Sequence, residues 1–420
     1  MRFTLFILLF AGPALAADPA LAIRNATVET LGPAGRIEKA TVVIRNGKIE
    51  AVGKTVAMPD DATVIDAAGG TLMPGLIDPY FEVAIAAATA DAGPRTISFG
   101  GRTMNLGGGG GVPAAGFTRV ADNFYPYDAG YKPLPRVGLT RLNLVTTGSG
   151  QAAVVRVTPT EPDHMMDRAD GVAFLSVTNN STSLDQLRTR LDPSARGGAV
   201  GGGRGGFGGG GRPGGGAAAG AGNQLWADVR EGKTPLIIAC ANSAAIVHVL
   251  QIVEPFKAVK LTLFASGPAF AEAADSLKGR SVRALLHPTL DLLPNTRDRF
   301  AAARLLHELG IEVAFSVSAS PTGSAIFDPA AGPVAPVESA LTNDFPLFPV
   351  AMLVKAGLPR QTALEALTKR PAMMLGIDAT HGTIEPGKVA DLVLFTGDPF
   401  DPGSRLRLTL IDGRTTHAND

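Results

Sequence analysis

The chain has 420 residues, with 38 Lys plus Arg against 38 Asp plus Glu and a hydrophobic share of 45%. That length suits one large α/β barrel or two domains, and the hydrophobic share excludes a disordered chain. Zero formal charge leaves no global field to draw the protein to nucleic acid or to an anionic membrane.

Residues 1–16, MRFTLFILLFAGPALA, place Arg2 before an apolar run and end on a small-residue Ala-Leu-Ala at Ala16. That is the order of a cleavable export signal, and the apolar run falls short of the roughly 20 residues a spanning helix needs. The expectation is a periplasmic or secreted protein with no membrane segment once the signal is removed. Cys240 is the sole cysteine, so an intrachain disulfide is impossible. Inside the apolar run PLIIACA it reads as a small core residue rather than a nucleophile.

Short strands follow: ALAIRNATVET, ATVVIRNGKIEAVG and ATVIDAAGGTLMPG, with Asn46-Gly47 as a hairpin signal between alternating segments. The same texture returns at the C-terminus in GTIEPGKVADLVLFTGD and RLRLTLIDGRTTHA. Residues 17–72 and 381–420 are therefore expected to form one small β-sandwich built from both ends. Between them, residues 73–380 alternate apolar strands (GVAFLSVT, TPLIIACA, KLTLFAS, SVRALLHP, GIEVAFSVS) with helical segments such as SAAIVHVLQIVEPF and TRDRFAAARLLHELG. Near-continuous apolar strands alternating with helices argue for a parallel sheet covered on both faces. Over about 300 residues, a closed (β/α)8 barrel of the TIM type is the expected solution. Two glycine-rich segments, 99–116 and 195–223, lack the volume to build a core and read as mobile loops. Neither has the strand-before, helix-after context of a phosphate loop.

Three phrases carry a resemblance to a known family: VIDAAGGTLMPGLID, then YPYDAGYKPLPRVGLTRLNLVTTGSGQAAVVRV, then GLPRQTALEALTKRPAMMLGIDATHGTIEPGKVADLVLFTGDPFD. Together they resemble the amidohydrolase superfamily, in particular its imidazolonepropionase-like branch. The resemblance implies a (β/α)8 barrel with an accessory β-sandwich from both termini. It also implies a divalent metal such as zinc at the C-terminal mouth of the barrel. Its ligands would be two His from the first strand, often a carboxylate or modified Lys from the fourth, and one His each from the fifth and sixth. An Asp of the eighth strand would move protons. Such a donor set leaves one position open for a water that ionises near neutral pH.

Carried over by position, the set fails. The first-strand His positions fall on Tyr80 and Glu82, the fifth-strand position on Ala239, the sixth on Ala265, and the eighth-strand Asp on Ser318. GVAFLSVT offers only Ser176 and Thr178 as fourth-strand donors. Of six histidines, His287 alone closes a candidate barrel strand and could face the mouth as a hydrogen-bonding or acid–base group, against a plainer role satisfied by backbone. His248 and His307 fall on helices, His164 in a loop, His381 at the return to the β region, and His417 in the tail.

One carboxylate and one phenol do not make a three-ligand zinc site. No cofactor is therefore expected. The expected function is an exported amidohydrolase-family pseudo-enzyme that binds a small ligand or partners an active relative in a homo- or hetero-oligomer. The alternative is a hydrolase of non-peptide C–N bonds, such as cyclic amides, working through Tyr80, Glu82 and His287. A third possibility gives the glycine-rich loops the task of holding a partner.

Overall fold

The computed structural model describes residues 19–83, 118–194, 216–292, 299–317 and 347–419, with short strands at 96–99, 102–105, 327–328 and 332–333. Residues 1–16, expected to be an export signal, and Ser318 lie outside the described residues.

The chain opens with β1 (Leu21–Glu29), β2 (Arg36–Arg45), β3 (Lys48–Gly53), β4 (Thr63–Asp66) and β5 (Thr71–Pro74). Asn46 and Gly47 turn β2 into β3 with φ of 51° and 73°. Two successive left-handed residues are what a tight hairpin of this twist demands, and Asn-Gly is the pair that adopts them most easily. At Gly75, Cβ would stand 2.3 Å from the Thr140 side chain, so only glycine lets the next strand pass.

The barrel begins with β6 (Leu76–Glu82). β7 (Thr96–Phe99) and β8 (Arg102–Asn105) form a hairpin, and β9 (Thr118–Arg119) leads to β10 (Leu139–Val145). β11 (Ser149–Gln151), β12 (Ala153–Arg156) and β13 (Met166–Arg168) follow, then β14 (Ala173–Val177). After α1 (Ser181–Leu191) and α2 (Gly216–Arg230) come β15 (Leu236–Cys240), α3 (Ser243–Val253) and β16 (Leu261–Phe264). Next are α4 (Gly267–Glu272), α5 (Ala274–Leu277), β17 (Arg283–Leu286), β18 (Asp291–Leu292), β19 (Arg299–Phe300), α6 (Ala302–Glu308) and β20 (Glu312–Phe315). A two-stranded pair, β21 (Phe327–Asp328) and β22 (Gly332–Pro333), precedes α7 (Phe348–Lys355), α8 (Arg360–Leu367) and α9 (Lys369–Leu375). β23 (Leu392–Phe395), β24 (Leu406–Ile411) and β25 (Arg414–Ala418) end the chain.

β6 and β10 run parallel, and so do β14, β15, β16, β17 and β20 in that order. The wall position between β10 and β14 departs from the expected all-parallel barrel. Residues 149–156 run antiparallel there, pairing first with β14 through β11 and then with β10 through β12. The ring closes between β20 and β6 through side chains. The buried Asp78 carboxylate accepts from Tyr80 N at 2.9 Å and Val317 N at 3.0 Å, while Ser316 Oγ donates to the Tyr80 carbonyl at 3.2 Å. Among the described residues the wall is thus a TIM-type ring of seven parallel strands and one antiparallel segment.

Helix starts explain why each strand gives way. Asn180, Asn242 and Ser266 accept backbone N–H groups of the first turns of α1, α3 and α4, as side chains of N-cap residues do. α3 then buries Ile246, Val249, Leu250 and Val253, the spacing of one helical face. The second glycine-rich segment is not wholly a loop: α2 begins at Gly216, within Gly-Gly-Ala-Ala-Ala, where alanines favour helix. β8 likewise falls inside the first such segment. Arg299–Phe300, expected to be helical, instead pairs with Asp291–Leu292.

The terminal strands join one sheet: β25-β24-β23-β5-β1-β2-β3, with β4 against β1. Its two faces serve two cores. On β23, Leu392 and Leu394 pack with Ile23, Val42 and Leu72, whereas Val393 and Phe395 belong to the large core shared with the barrel. The alternation is the two-residue period of a strand. Each fully buried aliphatic side chain contributes roughly 1.5–3 kcal/mol, so both faces are held firmly. Among the described residues no helix is long and apolar enough to cross a membrane.

Candidate functional site

The carboxyl ends of the parallel strands converge on one rim of the ring, where this architecture places its chemistry. Glu82, Ser176, Ala239, Phe264, His287 and Val317 are all half-buried there. Register explains the grouping. Ser176 pairs with Ala239 and Ala239 with Phe264 across neighbouring strands, so these residues are level on the wall.

Tyr80 reaches across this rim. Its ring lies 4.3 Å from that of Phe264, and its hydroxyl hydrogen-bonds with Ser176. Phe264 in turn meets His287 edge-on at 5.3 Å. Burial and the neighbouring Glu82 charge push the Tyr80 phenol well above its ordinary pKa, with Ser176 opposing, so it stays a neutral phenol at pH 7. Burial also lifts Glu82, and among the described residues no cation holds the carboxylate down.

His287 Nδ1 lies 3.1 Å from the Ser316 carbonyl. A carbonyl only accepts, so Nδ1 carries the proton and Nε2 keeps the lone pair. Burial lowers its pKa, only partly offset by that hydrogen bond and by the Asp78 charge, which leaves the ring neutral. The backbone satisfaction weighed from the sequence is therefore present.

Of the residues proposed for the site, Tyr80, Glu82, Ala239 and His287 come together. Ala265 is buried, and the β16 side chain that touches Tyr80 is Phe264. The signal for Phe264 was available in the two-residue period of Leu261-Thr262-Leu263-Phe264. Asp78 was missed as well, because its partner amide is 239 residues away. Cys240 is buried, and burial pushes its thiol up to about 12, far from an activated nucleophile.

The metal implied by the resemblance does not fit these residues. A catalytic zinc needs three protein donors and an open position. Among the described residues no group of three or more His, Cys, Asp or Glu side chains could hold a metal ion. At the rim, among the described residues, the potential donors are the Glu82 carboxylate and His287 Nε2 beside a neutral phenol, an alanine and a phenylalanine, which falls short of that set.

A second concentration of charge sits away from the rim, where the first residues of the barrel strands meet the terminal sheet. Arg141 of β10 is 1% exposed. It faces Asp412 at 2.7 Å, Asp391 at 3.2 Å and Asp167 at 3.5 Å. Arg156 adds contacts of 2.6 Å to Asp412 and 2.9 Å to Asp167. Burial lifts Asp391 to about 6 despite Arg141, and burial together with Arg141 lowers His381 to about 4. Although His381 Nε2 is only 3.8 Å from Asp391, the two are not an ion pair at neutral pH, because the imidazole is uncharged there.

Residues 333–417 match a family model described as the amidohydrolase family. No curated protein matches the chain. Among solved structures it is similar to an amidohydrolase from Thermotoga maritima MSB8, at 20% identity and a TM-score of 0.67, over 95% of this chain and 100% of that one. It is also similar to a D-hydantoinase (dihydropyrimidinase) from Thermus sp., at 14% identity and a TM-score of 0.51, over 94% of each chain. A phenylurea hydrolase B aligns at 14% identity and a TM-score of 0.50, over 94% of this chain and 96% of that one. The family match is thus confined to the C-terminal segment, while the fold along the whole length is the one these amidohydrolase structures share.

Proposed function

We propose that this protein is an exported amidohydrolase-fold pseudo-enzyme, whose barrel mouth binds a small molecule without a catalytic metal. The observation that supports this reading is the Tyr80–Phe264 ring contact at 4.3 Å, at the rim where the family's metal donors would stand. Aromatic carbon supplies no lone pairs there, and a neutral phenol is a poor ligand. The half-buried rim residues are mostly apolar with a few polar groups among them, the composition that small-molecule sites have. An active relative as partner remains part of the same proposal, since a mouth that binds without turnover suits a regulatory subunit.

The test is elemental analysis of the mature chain after normal export, paired with turnover assays on cyclic amides, ureas and dipeptides. The expected result is far less than one zinc, manganese or iron per chain and no turnover. A metal held near one per chain, or hydrolysis that follows Glu82, Tyr80 or His287 in variants, would replace this reading with that of a working C–N hydrolase.

A further inference from the structure

Resting on the metal-free binding site proposed above, we infer that its ligand is a small organic cation: an ammonium or amidinium group carried on a flat apolar body, with Glu82 as counter-ion and Phe264 as its ring face.

The charge argument comes first. Glu82 ends β6 and is half-buried, so its carboxylate has lost part of its hydration. Nothing among the described residues returns that energy. Its pKa rises through burial alone, and no Lys, Arg or His contributes an attraction. The imidazole of His287 stays neutral, so it neither pairs with Glu82 nor repels an arriving cation.

Asp291, beyond the end of β17, is a second half-buried carboxylate. Its Oδ2 has no hydrogen-bond partner and lies against Gly267, just beyond the end of β16. Burial lifts its pKa too, with only Thr289 opposing. Asp291 Oδ2 is shut off from solvent, which leaves Glu82, half-buried and with no described cation to neutralise it, as the source of negative potential that a ligand can reach. A positively charged ligand relieves it and an anionic one does not.

The ring argument is independent. Tyr80, Phe264 and His287 form a continuous run of ring contacts, 4.3 Å and then 5.3 Å between centroids. Tyr80 is buried, whereas Phe264 and His287, at the carboxyl ends of their strands, are only half-buried. The negative face of an aromatic ring attracts a cation, and more strongly where water is thinned out. A flat body on the cation would stack against Phe264 while its charged end meets Glu82. A metal ion has no flat apolar body to stack on Phe264, and a neutral amide can hydrogen-bond to the carboxylate but does not neutralise its charge.

The experiment is titration calorimetry on the full mature chain with benzamidinium and its neutral counterpart benzamide. Benzamidinium should bind with a dissociation constant below about 1 mM, and benzamide at least tenfold more weakly. Glu82→Gln should erase that difference, and Phe264→Leu should weaken benzamidinium severalfold. Glu82→Gln removes a partly desolvated, unpaired charge, so its urea midpoint should equal or exceed that of the wild type and serves as the folding control. Equal binding of both probes, unchanged discrimination in Glu82→Gln, or no benzamidinium heat at millimolar concentration would overturn the inference. None of those outcomes bears on metal content, so the binding-site reading stands or falls separately by elemental analysis.

Discussion

Replacing Arg141 with leucine tests the view that the floor of the barrel is riveted to the terminal sheet by charge. The wild-type guanidinium, 1% exposed, holds Asp412, Asp391 and Asp167. Without it, Asp412 and Asp167 keep Arg156 at 2.6 Å and 2.9 Å, but Asp391 loses its guanidinium entirely. Removing one partner of a buried ion pair costs about 3–5 kcal/mol, because the survivor remains buried and uncompensated. That range is the expected loss at pH 7.5, read as the shift in the urea midpoint multiplied by an unchanged slope. The sign of the pH dependence follows from Asp391, whose folded pKa is already raised to about 6 by burial. In the variant that pKa rises further, so its folded state takes up the proton at higher pH and the penalty shrinks as pH falls towards about 6. Arg141→Leu combined with Asp391→Leu should recover more than 1 kcal/mol over the single variant, as coupled neighbours do. A loss below about 1 kcal/mol for Arg141→Leu at pH 7.5, with no dependence on pH, would refute the reasoning.

His381 and Asp391 titrate in opposite senses, and single variants should separate them. His381 is lowered to about 4, so its contribution is present above about pH 6.5 and is lost as pH falls towards 4, worth about 3 kcal/mol. Asp391, raised to about 6, contributes fully below about pH 4 and loses that contribution as pH rises through 6. Stability of Asp391→Asn should therefore drop more steeply than wild type between pH 6.5 and 4, and His381→Gln should rise where wild type is flat; parallel curves for all three would remove the basis for both assignments. Asp78→Asn keeps one acceptor oxygen but places an NH2 against Tyr80 N or Val317 N, so a loss of about 1–3 kcal/mol is expected. Hydrogen exchange should show faster opening of β6 and β20 in that variant, and unchanged protection there would count against closure by Asp78. Gly75→Ala puts Cβ 2.3 Å from Thr140, a contact that must be relieved by moving β10, and about 1–3 kcal/mol should be lost in thermal unfolding.

The strands of the barrel were legible because five apolar runs, from Ala173–Val177 to Glu312–Phe315, are too apolar to leave one face in water. The turn at Asn46-Gly47 was legible for a local reason, the φ its residues tolerate. The reversed direction of residues 149–156 was not. An apolar segment such as Ala153-Val154-Val155 carries no mark of direction, and pairing of β11 with one neighbour and β12 with another is decided by distant strands. The charge rivet was hidden for the same reason, since Arg141 and Asp412 are 271 residues apart and Arg156 and Asp412 are 256 apart. His381 was placed correctly at the return to the terminal strands, but its neutral, buried state depends on neighbours no local pattern shows. At the mouth, the absence of imidazoles from the expected positions was plain in the letters, whereas the choice of Phe264 over Ala265 depended on the register of β16.

The residues Gly75-Leu76-Ile77-Asp78 hold the wall of the barrel and place no demand on what its mouth contains. Gly75 lets β6 run against Thr140, whose hydroxyl donates to the Leu76 carbonyl at 3.2 Å. Asp78 fastens the end of β20 to β6 by accepting from Val317 N with Oδ2, while its Oδ1 accepts from Tyr80 N of its own strand. Substituting either opens the ring, whatever the ring contains. Tyr80 and Glu82 stand farther along the same strand, where backbone pairing asks nothing of the side chain. They are free to vary as long as the space is filled, and here it is filled by a phenol packed on Phe264. One strand thus serves two ends, with closure built in at its start and the side chains at the rim left free of that task.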